Sequence, residues 1–159
     1  AEPETSEPSA TVTDGAVGVC DLLTEDEVEA ALGREVDAGV EDSFDEEVAR
    51  CTWVVTTPPP SPELYDDLEA TVLIGPLTEI DRAELDGLAA DPESIVVEGL
   101  GELAVISNNI FPGPMYVVLN DTEYLEVDLA NFRTPTDFPS EERLAEILTE
   151  LATLAVSRL

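Results

Sequence analysis

The sequence predicts an α+β fold, an antiparallel sheet of about six to seven strands covered by three helices. Two observations carry that expectation. Helical periodicity recurs in three places, and the segments between them are short alternating or apolar runs separated by turn residues, giving the order helix, strands, helix, strands, helix. Neighbouring strands with few crossover helices pair antiparallel and are covered by the helices. With 159 residues, 43% of them hydrophobic, the chain has length and apolar content for one domain with its own core.

Residues 1–16 hold Pro, Ser, Thr and Glu without an apolar run, the composition of a disordered, solvated tether, and 17–159 form the single domain. The first helix opens at Thr24, with Glu27 three positions on as the partner of a capping box. Val28, Ala31 and Leu32 make its apolar face, and Gly33 is placed for a left-handed end. Arg34 to Ala38 is expected as a short strand and Glu41 to Glu47 as an acidic loop. Ala49 to Val55 alternates, with Cys51, Trp53 and Val55 on one face. Pro58, Pro59, Pro60 and Pro62 make a stiff connector, with a short helical turn around Glu63 to Asp67. Leu68 to Ile74 is the next strand, stopped by Gly75 and Pro76.

Thr78 caps a second helix carrying Ile80, Leu85 and Leu88 that ends before Asp91 and Pro92. Ile95 to Val97 and Leu103 to Ile106 are short strands around a turn at Gly99-Leu100-Gly101. Ser107 to Pro114 is an irregular loop. Met115 to Leu119 and Tyr124 to Leu129 form a hairpin around Asn120 to Glu123; in its second strand Leu125, Val127 and Leu129 face inward, and Tyr124, Glu126 and Asp128 face out. Ser140 caps the last helix, where Leu144, Ile147, Leu148, Leu151, Leu154 and Ala155 form the clearest amphipathic stripe.

The charge excludes several functions. Against 37 Asp and Glu stand 6 basic residues, all Arg, for a net charge of −31 with no Lys and no His. A polyanionic nucleic acid gains nothing from such a surface, and an anionic membrane repels it. Histidine catalysis and imidazole-bound zinc are absent by composition. No GxSxG elbow is present and no Lys replaces the missing base, so the expectation is a protein that is not an enzyme. The acid excess without Lys reads first as adaptation to high salt, where charges are screened over about 3 Å at 1 M.

Cys20 and Cys51 are the only cysteines. An even count without other metal or redox partners is consistent with one disulfide, the alternative being two buried thiols. The tether favours the disulfide and with it an extracytoplasmic compartment. A bridge there would staple the first helix to the sheet.

The run Cys20-Asp21-Leu22-Leu23-Thr24-Glu25-Asp26-Glu27, the Ala30-Ala31-Leu32-Gly33 helix end and Cys51-Thr52-Trp53 together resemble a pattern of actinobacterial cell-envelope lipoproteins. Gly99-Leu100-Gly101-Glu102-Leu103-Ala104 and the closing Leu-Ala helix, Leu151-Ala152 to Leu159, are similar to the same group, so the resemblance covers 17–159. It implies a domain outside the cytoplasmic membrane, held by an N-terminal lipid, with the two cysteines bonded, and it carries no catalytic motif. The acidity departs from the group's usual composition.

Two candidate sites emerge. Asn108, Asn109, Phe111 and Met115, among Pro and Gly, offer an apolar surface with hydrogen-bonding groups for a small ligand or an envelope partner. Glu41, Asp42, Asp45, Glu46 and Glu47 offer oxygen ligands for a hard cation, with Ca²⁺ the one cofactor left open; the EF-hand spacing is missing. Trp53 is expected in the core near the cysteines, Arg133 in an ion pair, and the Asn120-Asp121-Thr122 triplet by chance. With no long apolar stripe left over, the expected state is a monomer. The expectation is a non-enzymatic envelope binding domain, the alternative a Ca²⁺-binding or salt-adapted structural domain at the cell surface.

Overall fold

A computed structural model describes residues 18–45, 48–56, 69–77, 79–107, 114–130 and 140–159. The tether, the proline connector and following turn, Thr78, the loop residues Asn108, Asn109 and Phe111, and Arg133 lie outside the described residues. Among the described residues seven strands form one antiparallel sheet: β1 (Val40–Asp45), β2 (Val48–Val54), β3 (Glu69–Pro76), β4 (Ile95–Val96), β5 (Leu103–Ile106), β6 (Met115–Val118) and β7 (Glu123–Ala130), in the spatial order β1-β2-β3-β7-β6-β5-β4. The α-helices among these residues are α1 (Glu25–Leu32), α2 (Glu79–Ala90) and α3 (Glu141–Val156). The expected α+β architecture is the one observed.

α1 begins as its sequence dictates. Thr24 Oγ1 accepts from the Glu27 amide at 3.1 Å, Glu27 Oε1 accepts from the Thr24 amide at 2.8 Å, and Gly33 closes the helix at φ 72°. Ser140 caps α3 by accepting from the Arg143 amide. α1 and α3 lie on one face of the sheet, where Val28, Leu148 and Leu151 pack with Cys51, Trp53, Val72, Met115, Val117, Leu125 and Val127 in the main core. Leu125, Val127 and Leu129 face inward as their alternation predicts.

Cys20 and Cys51 are bonded, with Cα atoms 5.1 Å apart. Trp53, 1% exposed, packs nearby in the core as expected. Gly39 makes this corner fit: a Cβ there would sit 2.5 Å from Cys51 Sγ and 2.8 Å from Trp53 Nε1. At the β6–β7 turn, Asn120 Oδ1 accepts from the Thr122 and Glu123 amides, so this Asn holds its own turn.

Three expectations are corrected. Val36 makes only an isolated bridge to Val55, and the strand lies later, at Val40–Asp45, in what reads as an acidic loop. Charges are at home there because β1 is the edge strand of the sheet, paired among the described residues on one side only. β3 does not stop before Gly75 but runs through Pro76, which sits at the strand end where a missing amide is tolerated. Tyr124, Glu126 and Asp128 leave the main core as expected but are partly buried rather than solvated. α2 lies on that second face, where Leu85, Val105 and Val118 form a separate cluster with Leu88, Leu103 and Tyr116 against it.

Candidate functional site

The second face is built from one row of cross-strand neighbours: Asp42 on β1, Arg50 on β2, Leu73 on β3, Glu126 on β7, Tyr116 on β6, Val105 on β5 and Val96 on β4. The strand period of two sends these side chains to the same side. At the β1 end, Arg50 donates to Asp42 through Nε at 3.0 Å and Nη2 at 2.8 Å, a bidentate pair that lowers the Asp42 pKa. At the β4 end the row is apolar. Glu126 stands between the two regimes.

Over Glu126 the surface opens into a cleft of about 250 Å³ lined by Tyr116, Tyr124 and Glu126 from the sheet and by Glu84, Leu85 and Leu88 from α2. Tyr116 and Tyr124 are diagonal neighbours on β6 and β7, with ring centroids 6.5 Å apart and planes inclined at 43°. Tyr124 finds room because Gly75 is its partner on β3: a Cβ at Gly75 would come within 3.3 Å of the ring.

Desolvation, and after it the neighbouring Asp128 carboxylate, push the Glu126 pKa up to about 7. Burial also raises the Asp128 pKa, against a backbone hydrogen bond at Leu129. The Tyr116 hydroxyl is pushed up to about 12 by burial and then by Glu126, Tyr124, Asp128 and Glu84, so it stays neutral. No basic side chain lines the cleft among the described residues. The arginine on α2, Arg82, is turned to Asp86 at 3.3 Å and Glu102 at 3.5 Å. The arrangement offers two carboxylates, two aromatic rings and two leucine side chains to a small molecule.

A larger groove, about 540 Å³, runs by the end of α3 on the main-core side, lined mainly by Val19, Ala49, Ile74, Leu119, Val156 and Leu159. Its polar rim is already used, since Asn120 Nδ2 donates to Glu123 Oε1 at 3.3 Å within the turn. The cleft under α2 is smaller but has converging polar groups.

The residues singled out from sequence are placed differently. Met115 is fully buried on the inner face of β6, opposite Val127, and belongs to the core rather than to a surface loop. Asn108, Asn109 and Phe111 lie outside the described residues. Glu41 and Asp42 are consecutive on β1 and so point to opposite faces, and Asp42 is held by Arg50. The Asp45 side chain, Glu46 and Glu47 lie outside the described residues; among those described, no group of three or more His, Cys, Asp or Glu is placed to hold a metal. The cleft was missed, although a signal exists. Leu103-Ala104-Val105-Ile106 and Met115-Tyr116-Val117-Val118 are apolar on both alternating sets, as strands covered on both faces are.

None of the protein-family models, curated proteins or solved structures compared with the chain matches it.

Proposed function

We propose that this chain is a non-enzymatic binding domain of the cell envelope that takes a small ligand in the cleft between α2 and the second face of the sheet. The observation that carries the reading is the convergence of Tyr116, Tyr124 and Glu126 with Glu84, Leu85 and Leu88 around one cavity. At about 250 Å³ it falls just below the roughly 300–1,000 Å³ of drug-sized ligand sites, so the ligand is small. The Cys20–Cys51 bond supports an oxidising compartment outside the cytoplasm. A rigid, disulfide-stapled sheet with its own core also supports binding in a preformed site.

The test is a screen of small charged and neutral fragments against the isotope-labelled full chain. Ligands are expected to shift the amide signals of residues 84–88, 116, 124 and 126. A screen whose hits all map elsewhere, with these signals unmoved, would refute the cleft as the binding site.

The second reading, a salt-adapted structural domain, is favoured by the net charge of −31 without lysine. It expects the unfolding temperature to rise with ionic strength alike for NaCl and, at matched ionic strength, for CaCl₂ and MgCl₂. A saturating gain with Ca²⁺ alone would instead favour the Ca²⁺-binding form of that reading.

A further inference from the structure

We propose that the ligand of this cleft is a small organic cation, a protonated or quaternary amine with a short apolar body. This rests on the cleft being the binding site. Three features of the cavity select that chemistry. Tyr116 and Tyr124 present inclined rings, and the negative face of an aromatic ring attracts a cation within about 6 Å of its centroid. Glu126 on the floor and Glu84 on the α2 wall supply carboxylates on two sides. Leu85 and Leu88 supply apolar contact for methyl or methylene groups.

The same lining rejects the alternatives. An anion meets Glu84 and Glu126 with no described arginine or lysine in the wall to offset them. A hydrated metal ion would gain nothing from the rings and leucines, and prefers several oxygen ligands at short range. A neutral molecule fills the space but leaves the half-buried Glu126 without a counter-charge. Among the described residues no cation pairs with Glu126: Leu73 separates it from Arg50 across β3, and Arg50 pairs with Asp42. A bound cation supplies the partner that the described residues omit, and the chain's net charge of −31 draws cations towards the surface.

Binding is coupled to protons at Glu126. The groups facing it are Asp128 and Tyr124 on its own strand, Tyr116 on β6 and Glu84 on α2, with Leu73 its uncharged neighbour on β3. Desolvation and Asp128 hold Glu126 partly protonated near neutral pH. A cation favours the ionised form, so affinity rises with pH through about 7 and binding releases a proton.

The test compares choline with its uncharged isostere 3,3-dimethylbutan-1-ol on the full chain at constant ionic strength. Choline is expected to shift the signals of residues 84, 116, 124 and 126 saturably, about tenfold more tightly than the isostere. Its affinity rises between pH 6 and pH 8, and both Glu126→Gln and Glu84→Gln weaken it several-fold while the circular dichroism spectrum is unchanged. Equal binding of both probes at these residues would overturn the cation inference and leave the cleft standing. Choline shifts absent here, while other fragments occupy the cleft, would overturn it too; failure of every fragment at these residues refutes the cleft itself.

Discussion

Arg158 holds Glu27 by two parallel hydrogen bonds, Nη1 to Oε1 at 2.7 Å and Nη2 to Oε2 at 2.5 Å. The same carboxylate accepts the Thr24 amide, and Arg158 Nη1 also donates to the Leu22 carbonyl oxygen at 2.8 Å. One guanidinium just past α3 therefore secures the start of α1, 131 residues earlier. The side-chain bond to Arg158 is the main reason the Glu27 pKa falls from 4.5 to about 2, against a smaller desolvation effect.

A group with a lowered pKa adds stability above its unfolded value and loses it as the pH falls. For Glu27 that window runs from about pH 4.5 down to about pH 2. Arg158→Ala is expected to lower the unfolding temperature by a few degrees at pH 7 and by less near pH 2, where the Glu27 contribution is lost and the bond to the Leu22 carbonyl oxygen remains. Thermal melts of both proteins across that range check it; an equal deficit at pH 2 would mean that Arg158 acts through the Leu22 carbonyl or through packing and not through Glu27.

Glu126 works in the opposite sense. Its pKa is raised, so its contribution is favourable below about pH 4.5 and is lost as the pH rises through about 7. Glu126→Gln keeps the shape and removes the buried charge, and is expected to stabilise the ligand-free chain by about 1–3 kcal/mol at pH 8 and by little at pH 4. Urea unfolding at the two pH values measures the difference, and equal stabilisation at both would remove the charge as its cause.

Gly33 and Gly101 share a left-handed conformation, at φ 72° and 62°, yet differ in surroundings. A Cβ on Gly33 meets nothing within 4 Å, whereas one on Gly101 would lie 2.5 Å from the Val118 carbonyl oxygen and 2.7 Å from Val117 Cγ1. Gly33→Ala is expected to cost about 1–2 kcal/mol for the backbone alone. Gly101→Ala adds overpacking of about 1–3 kcal/mol. Chemical unfolding ranks the two, and equal losses would show that the end of β6 at Val117 and Val118 yields freely.

Reducing the Cys20–Cys51 bond removes a cross-link between residues 31 apart. The chain-entropy model gives a loss of about 3–4 kcal/mol. The Cys20→Ser/Cys51→Ser double variant, unfolded beside the wild type, tests it; a loss below about 1 kcal/mol would mean that the residues between the bridged positions stay ordered in the unfolded chain.

The parts of the fold that were legible in sequence are those with local causes. The Thr24–Glu27 box, Gly33 and the α3 stripe each act within a few residues, and all form as read. The strand at Cys51 and Trp53 was legible because one of its faces is buried. β1 was not, because an edge strand needs no apolar alternation and its acids read as loop. The role of Gly39 depends on the disulfide and Trp53 packed against it, which no neighbour in the chain announces. The cleft was hidden for a related reason. Tyr124, Glu126 and Asp128 read as a solvent face, and the placement of Glu84, Leu85 and Leu88 of α2 around Tyr124 and Glu126 turns part of that face into a site.

The sheet order has a kinetic consequence. β1-β2-β3 and β4-β5-β6-β7 are each a meander of strands consecutive in the chain, and β3 meets β7 along eight residue pairs as the non-local joint between them. The strands paired within each meander follow one another directly in the chain, whereas the joint must bring together β3, which ends at Pro76, and β7, which starts at Glu123, the step with the largest loop-closure cost. Refolding is thus expected to be limited by docking at the Val72–Val127 seam, where the next pair along the ladder is Leu73 with Glu126, so the binding face would be among the last parts of the molecule to take shape.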